Sequence, residues 1–80
     1  MPADAARAIW EVTAGIISGQ IDHEHTKRFY VTSTEWEDPK VGMALLLDRW
    51  HQAVAYATYL QMLCANGMEV NWVRVDFVWP

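Results

Sequence analysis

Two dipeptides, Asp38-Pro39 and Asn66-Gly67, bracket the segment of this chain whose conformation is most tightly constrained. Asp accepts hydrogen bonds from the first free amides of a helix. Pro fits the first helical position, because its missing N–H has no partner there anyway. Asn-Gly supplies a left-handed stop. A helix is therefore predicted over Pro39–Ala65. So long a run is expected to kink or divide at Gly42 or at the Asp48-Arg49 step. Leu46, Trp50, Ala53, Ala57, Leu60 and Cys64 recur at helical spacing and draw its apolar stripe.

The flanking segments alternate instead. In Arg7–Ser18, the residues Trp10, Val12, Ala14 and Ile16 recur at every second position and predict a strand. Ala5, Ala6 and Ala8 favour a helix there, but Val12, Thr13, Gly15, Ile16 and Ile17 oppose one. Gly19–Thr26, which carries Asp22-His23-Glu24-His25, reads as a polar hairpin tip. Lys27–Thr34 reads as a second strand, with Phe29, Val31 and Ser33 on one face and Arg28, Tyr30 and Thr32 on the other. Glu69–Trp79 is the clearest strand. Val73, Val75, Phe77 and Trp79 face one way, and Val70, Trp72, Arg74, Asp76 and Val78 the other. The sum is one α+β domain over residues 1–80 in the order ββαβ. A small antiparallel sheet, made of a β-hairpin and a C-terminal strand, carries one long helix on one face.

Size then becomes an argument. An 80-residue chain buries only about 60–65% of the surface its unfolded form exposes. Domains this small usually need a disulfide, a metal or a partner chain. Cys64 is the single cysteine, so no internal disulfide forms. The apolar residues also exceed what one core takes up. Trp72 and Val78 lie opposite Val73 and Val75 on the last strand, and a strand with large apolar groups on both faces is usually covered on both. On the helix, Tyr56, Met62 and Leu63 flank the core stripe and Tyr59 lies opposite it. Contiguous apolar surface marks interfaces, where Trp, Tyr and Met are enriched. A homodimer is the expected assembly. Its contact residues would be Trp36, Tyr56, Tyr59, Met62, Leu63 and Trp72, with Arg74 and Asp76 supplying register and specificity. Trp36, within Glu35-Trp36-Glu37-Asp38, also offers an acidic, aromatic patch to a basic protein partner.

Six Lys and Arg against ten Asp and Glu leave no basic patch for a phosphate backbone, which argues against nucleic acid. The apolar region Val41–Ala65 is broken by Asp48-Arg49 and His51-Gln52, which argues against a membrane span. The acidic opening Met1-Pro2-Ala3-Asp4 does not resemble an export signal, and a lone thiol fits a reducing cytoplasm.

Chemistry has few footholds. His23 and His25 fall on one side of an extended chain and would share a metal ion if a third ligand came from His51, a carboxylate or a twin chain. A solvated hairpin tip explains the same residues. His51 lies near Asp48 and Arg49, as a tuned base would, and as an exposed helix face also would. Trp10, Trp50 and His51, with Trp36, Tyr56, Trp72, Arg74 and Asp76, would line an aromatic pocket between subunits of a ligand-binding or enzymatic dimer. Cys64 reads as a small core hydrophobe. The chain has no glycine-rich phosphate loop and no HExxH, CxxC or GxSxG motif, and no cofactor is implied. The expectation is a small, acidic, non-catalytic cytoplasmic protein that works by protein–protein interaction. It would act as a homodimer, as an accessory or inhibitor docked on a larger partner, or as both. Its size and acidity suit a phage or other mobile-element accessory protein.

Overall fold

A computed structural model describes residues 5–18, 21–67 and 69–78 of the chain. Strand β1 (Ala6–Ser18) and strand β2 (Ile21–Thr32) form the hairpin. A short helix α1 (Ser33–Glu37) and the long helix α2 (Pro39–Ala65) follow, and strand β3 (Val70–Phe77) closes the fold. The sheet order is β2-β1-β3, with β1 antiparallel to both neighbours. The two edge strands therefore run in one direction, and α2 is the crossover that carries the chain from one edge to the other. This is the expected α+β architecture, with one addition and several shifts.

Helix α2 runs its full 27 residues without dividing at Gly42 or Asp48-Arg49. The Asp38 carboxylate accepts from the amides of Lys40 at 3.0 Å and Val41 at 3.4 Å. Gly67 supplies the left-handed stop at φ +73°, a conformation that suits glycine. Gly42 is buried against Trp36, where small size serves packing. The addition is α1. Ser33 and Thr34 belong to this helix rather than to a strand, because Thr32 and Glu35 form a capping box. The Thr32 hydroxyl accepts from the Glu35 amide at 3.3 Å, and the Glu35 carboxylate accepts from the Thr32 amide at 2.8 Å. Two otherwise unpaired donors are satisfied, and the strand ends there.

The segment read as a hairpin tip is ladder instead. Asp22, His23, Glu24, His25 and Thr26 pair with Ile17, Ile16, Gly15, Ala14 and Thr13. Pairing to a central strand outweighs the weak intrinsic preference of charged residues.

Trp10, Val12 and Ala14 of β1, Phe29 of β2, and Val70, Val73 and Val75 of β3 face the helix and meet Ala53, Ala57 and Leu60. Two irregularities shift this pattern. Ile9 is an extra residue between the pairs Ala8–Tyr30 and Trp10–Phe29, and it is fully buried. Asn71 is extra between the pairs Gly15–Trp72 and Ile16–Val70. That bulge turns Val70 into the core, whereas simple alternation put it beside Trp72. Trp79, which alternation sets on the same side as Val73 and Val75, lies outside the described residues. Helix α2 packs more over β1 and β3 than over β2. The Trp10 indole N–H donates to the Leu46 carbonyl at 3.0 Å and ties strand to helix. Among the described residues no helix is long and apolar enough to cross a membrane.

Candidate functional site

The two flanks of α2 meet different surroundings. On the β2 side, Arg49 donates to the Tyr30 carbonyl at 3.0 Å, and the Tyr56 hydroxyl stands 3.0 Å from His25 Nε2. On the β3 side, Trp50 meets Trp10 with ring centres 6.5 Å apart, and Trp10 meets Phe77 edge-on at 5.1 Å. At 100° per residue, Met43, Leu47, Trp50 and Val54 share that β3-ward flank. Met43, Leu47 and Phe77 are 60%, 57% and 51% exposed. A strip of aromatic and aliphatic side chains thus runs along the β3 side of the molecule and faces solvent.

Trp10, Trp50 and His51, expected together as a pocket lining, do come together. His51 is exposed, with its ring 5.4 Å from Trp50. They join the aromatic strip, while three shallow depressions of about 290 to 310 Å³ are lined by other residues. The carboxylate offered to His51 by sequence is engaged elsewhere. Asp48 pairs with Arg49 and accepts from Gln52 at 2.8 Å.

The sheet face away from the helix, where the alternation of β3 sets Arg74 and Asp76 beside Trp72, carries paired charges. Arg28 pairs with Glu11 at 3.0 Å and Arg74 with Asp76 at 2.7 Å. Glu11 and Asp76 are direct cross-strand neighbours, an unfavourable pair of like charges unless cations stand beside them. The Asp76 hydrogen bond, and then its charge, raise the pKa of Arg74 above the usual guanidinium value. Trp72 is half-buried on this face because its indole lies down across Gly15. Arg74 in turn lies over the Trp72 ring at 5.6 Å. The Thr13 hydroxyl is buried in the middle of this face with no hydrogen-bond partner among the described residues. A depression of about 290 Å³ beside Trp72 is walled by Asp22 and Glu24.

The remaining expected contact residues divide. Tyr59 and Met62 are exposed at 56% and 59%. Leu63 is half-buried against the core. Tyr56 is held inside, its ring edge-on to Phe29 at 6.4 Å with the Lys27 ammonium 5.5 Å above it. Trp36 is half-buried and borders an apolar depression with Pro39, Gly42 and Met43. His23 and His25 occupy alternate strand positions, as a shared ligand pair requires, but His25 is engaged by Tyr56. Among the described residues no three His, Cys, Asp or Glu side chains gather as a metal site. Cys64 is half-buried, its thiol 3.6 Å from the Asn71 carbonyl.

Sequence reasoning missed Met43, Leu47 and Phe77 as surface. Projecting the helix on its core stripe was sufficient to place Met43 and Leu47 off it. Phe77 follows the core alternation of β3 and is exposed because it stands at the strand's end. The chain matches no protein-family model, no curated protein and no solved structure.

Proposed function

We propose that this chain is a non-catalytic protein that works through protein–protein association, as a homodimer that also serves as an accessory or inhibitor of a larger partner. The observation that carries this reading is the exposed strip of Met43, Leu47, Trp50 and Phe77 along one side of the fold. Large apolar groups gathered on one flank, beside a charged open sheet face, are the usual anatomy of a docking surface. The half-buried single thiol suits a reducing compartment, which supports a cytoplasmic setting.

The test is sedimentation equilibrium on the wild-type chain and on Leu47→Lys and Phe77→Lys. The wild type is expected to dimerise at micromolar concentration. Each lysine variant should weaken association by about 2 kcal/mol, the scale of an interface hot spot. A folded wild-type monomer on the order of 100 µM, where even a weak dimer of about −5.5 kcal/mol forms, overturns the dimer.

A further inference from the structure

We propose that the partner on this surface is a second copy joined strand to strand. In this arrangement β3 pairs antiparallel with β3 of another chain, and Val75 of each lies on the twofold axis. This geometry rests on the association reading above and specifies where the two chains meet.

Backbone phase comes first. The Val78 amide donates to the Ile9 carbonyl at 3.0 Å. In an antiparallel ladder, hydrogen-bonded and non-bonded pairs alternate. Trp72, Arg74 and Asp76 therefore direct their amides and carbonyls toward β1, and Val73, Val75 and Phe77 direct theirs outward. Strand β3 is an edge, so among the described residues that outward row has no strand beside it. Such a row is a template for another strand.

Charge then selects the register. Centring the twofold on Arg74 sets guanidinium against guanidinium, and centring it on Asp76 sets carboxylate against carboxylate. Centring on Val73 draws the Asn71 bulge into the contact. Centring on Val75 places Arg74 opposite the partner's Asp76, and Asp76 opposite the partner's Arg74. Val73 then falls opposite the partner's Phe77, a favourable pairing of β-branched and aromatic side chains. The charged pairs fall at non-bonded positions, where cross-strand side chains approach most closely.

The helices fit the same axis. Paired residues share a face, so both α2 helices lie on one side of the joined sheet. Helix α2 sits chiefly over β1 and β3. That places it about one strand spacing, near 4.8 Å, from the axis. The two helices are then about 10 Å apart, an ordinary packing distance. The flank that each turns to the other is the one carrying Leu47, Trp50 and Val54.

The experiment uses two charge variants of the full chain, Arg74→Asp and Asp76→Arg. The first has carboxylates at both positions and the second has guanidiniums at both. Alone, each sets like charges opposite each other, and its dimer dissociation constant should rise at least about tenfold. Mixed in equal amounts, they restore both opposite-charge pairs and should form a heterodimer with near wild-type affinity. Sedimentation velocity with one variant fluorescently labelled reads this directly. Recovery in the mixture also shows that each variant is folded. If the wild type dimerises and both variants do so equally well, or if the mixture fails to recover, the register falls while association stands. If the wild type is a folded monomer at such concentrations, both fall.

Discussion

The two edges of this sheet share the same central strand and manage their exposure in opposite ways. Strand β2 carries Asp22, His23, Glu24, His25, Lys27 and Arg28. One of its carbonyls, that of Tyr30, is taken by Arg49, and its His25 is tied to Tyr56 of the helix. Strand β3 carries Val70, Trp72, Val73, Val75 and Phe77, and its two charged residues are paired with each other. Charge along an edge discourages the approach of another strand. The contrast shows that one edge is guarded and the other is left open. The helix leans the same way, with its polar reach toward β2 and its exposed apolar flank toward β3. The association surface proposed above lies on the β3 side, where Met43, Leu47 and Phe77 are exposed.

The largest effect on the fold itself is expected at Gly15, where β1 treats its two neighbours differently. A Cβ at this position would come within 2.1 Å of the Trp72 indole nitrogen on the β3 side. The three atoms it would meet first all belong to that ring, whereas on the β2 side Gly15 pairs with Glu24. Gly15→Ala should therefore lift Trp72 off the sheet and cost about 1–3 kcal/mol, the range for overpacking. Urea denaturation gives the stability. The shift of one indole N–H resonance in an NMR spectrum locates the damage to β3. Loss of stability with every indole signal unmoved would mean that the close approach of Trp72 is not what fixes glycine here.

Tyr56→Phe probes the guarded edge and should cost less. It removes the hydroxyl 3.0 Å from His25 and leaves the ring against Phe29 and Lys27. An ordinary hydrogen bond contributes about 0.5–1.5 kcal/mol net, and this one is exposed, so the lower end is expected in thermal unfolding. Association should not change if docking uses the β3 side as proposed. A variant that weakens dimerisation as much as Phe77→Lys would erase the distinction between the edges.

Much of this asymmetry was legible in the residues, though not all of it. The caps at Asp38-Pro39 and Asn66-Gly67 bound α2 as expected, because both act through local backbone chemistry. The alternation of Trp10, Val12 and Ala14 correctly placed the core face of β1. Helix α1 was missed although Thr32 and Glu35 carry the spacing of a capping box, because a β-rich run preceded them. The reach of β2 was hidden by His23, Glu24 and His25, whose strand conformation comes from pairing with β1 and not from their own preference. The bulges at Ile9 and Asn71 shift side chains by one position, and such insertions are set by two strands together. Trp72 was read as pointing outward to a partner. Its contact with Gly15 depends on a register that no single segment encodes. The exposed apolar surface was half legible. Tyr59 and Met62 lie off the core stripe and are exposed, whereas alternation sets Phe77 on the side of Val73 and Val75 and gives no sign of its exposure.

The smallest effect is expected where the open face joins the two edges. Arg28 of β2 pairs with Glu11 of β1, and Glu11 stands opposite Asp76 of β3. Its guanidinium is half exposed, with 51% of the side chain accessible against 22% for Glu11. An exposed pair of this kind is worth about 0.2–1 kcal/mol. Arg28→Ala should cost a few tenths of a kcal/mol at low salt, and the difference should fade toward 1 M salt as the Debye length shrinks to about 3 Å. The variant also leaves two neighbouring carboxylates with one cation fewer. If the partner's Arg74 lies beside Asp76, dimerisation supplies the missing charge, and the deficit should be smaller in the dimer than in the monomer. Unfolding followed at concentrations on either side of the dimer dissociation constant separates the two cases. A deficit that is the same in both would place no new cation near Asp76 and would remove the charge argument for the Val75 register.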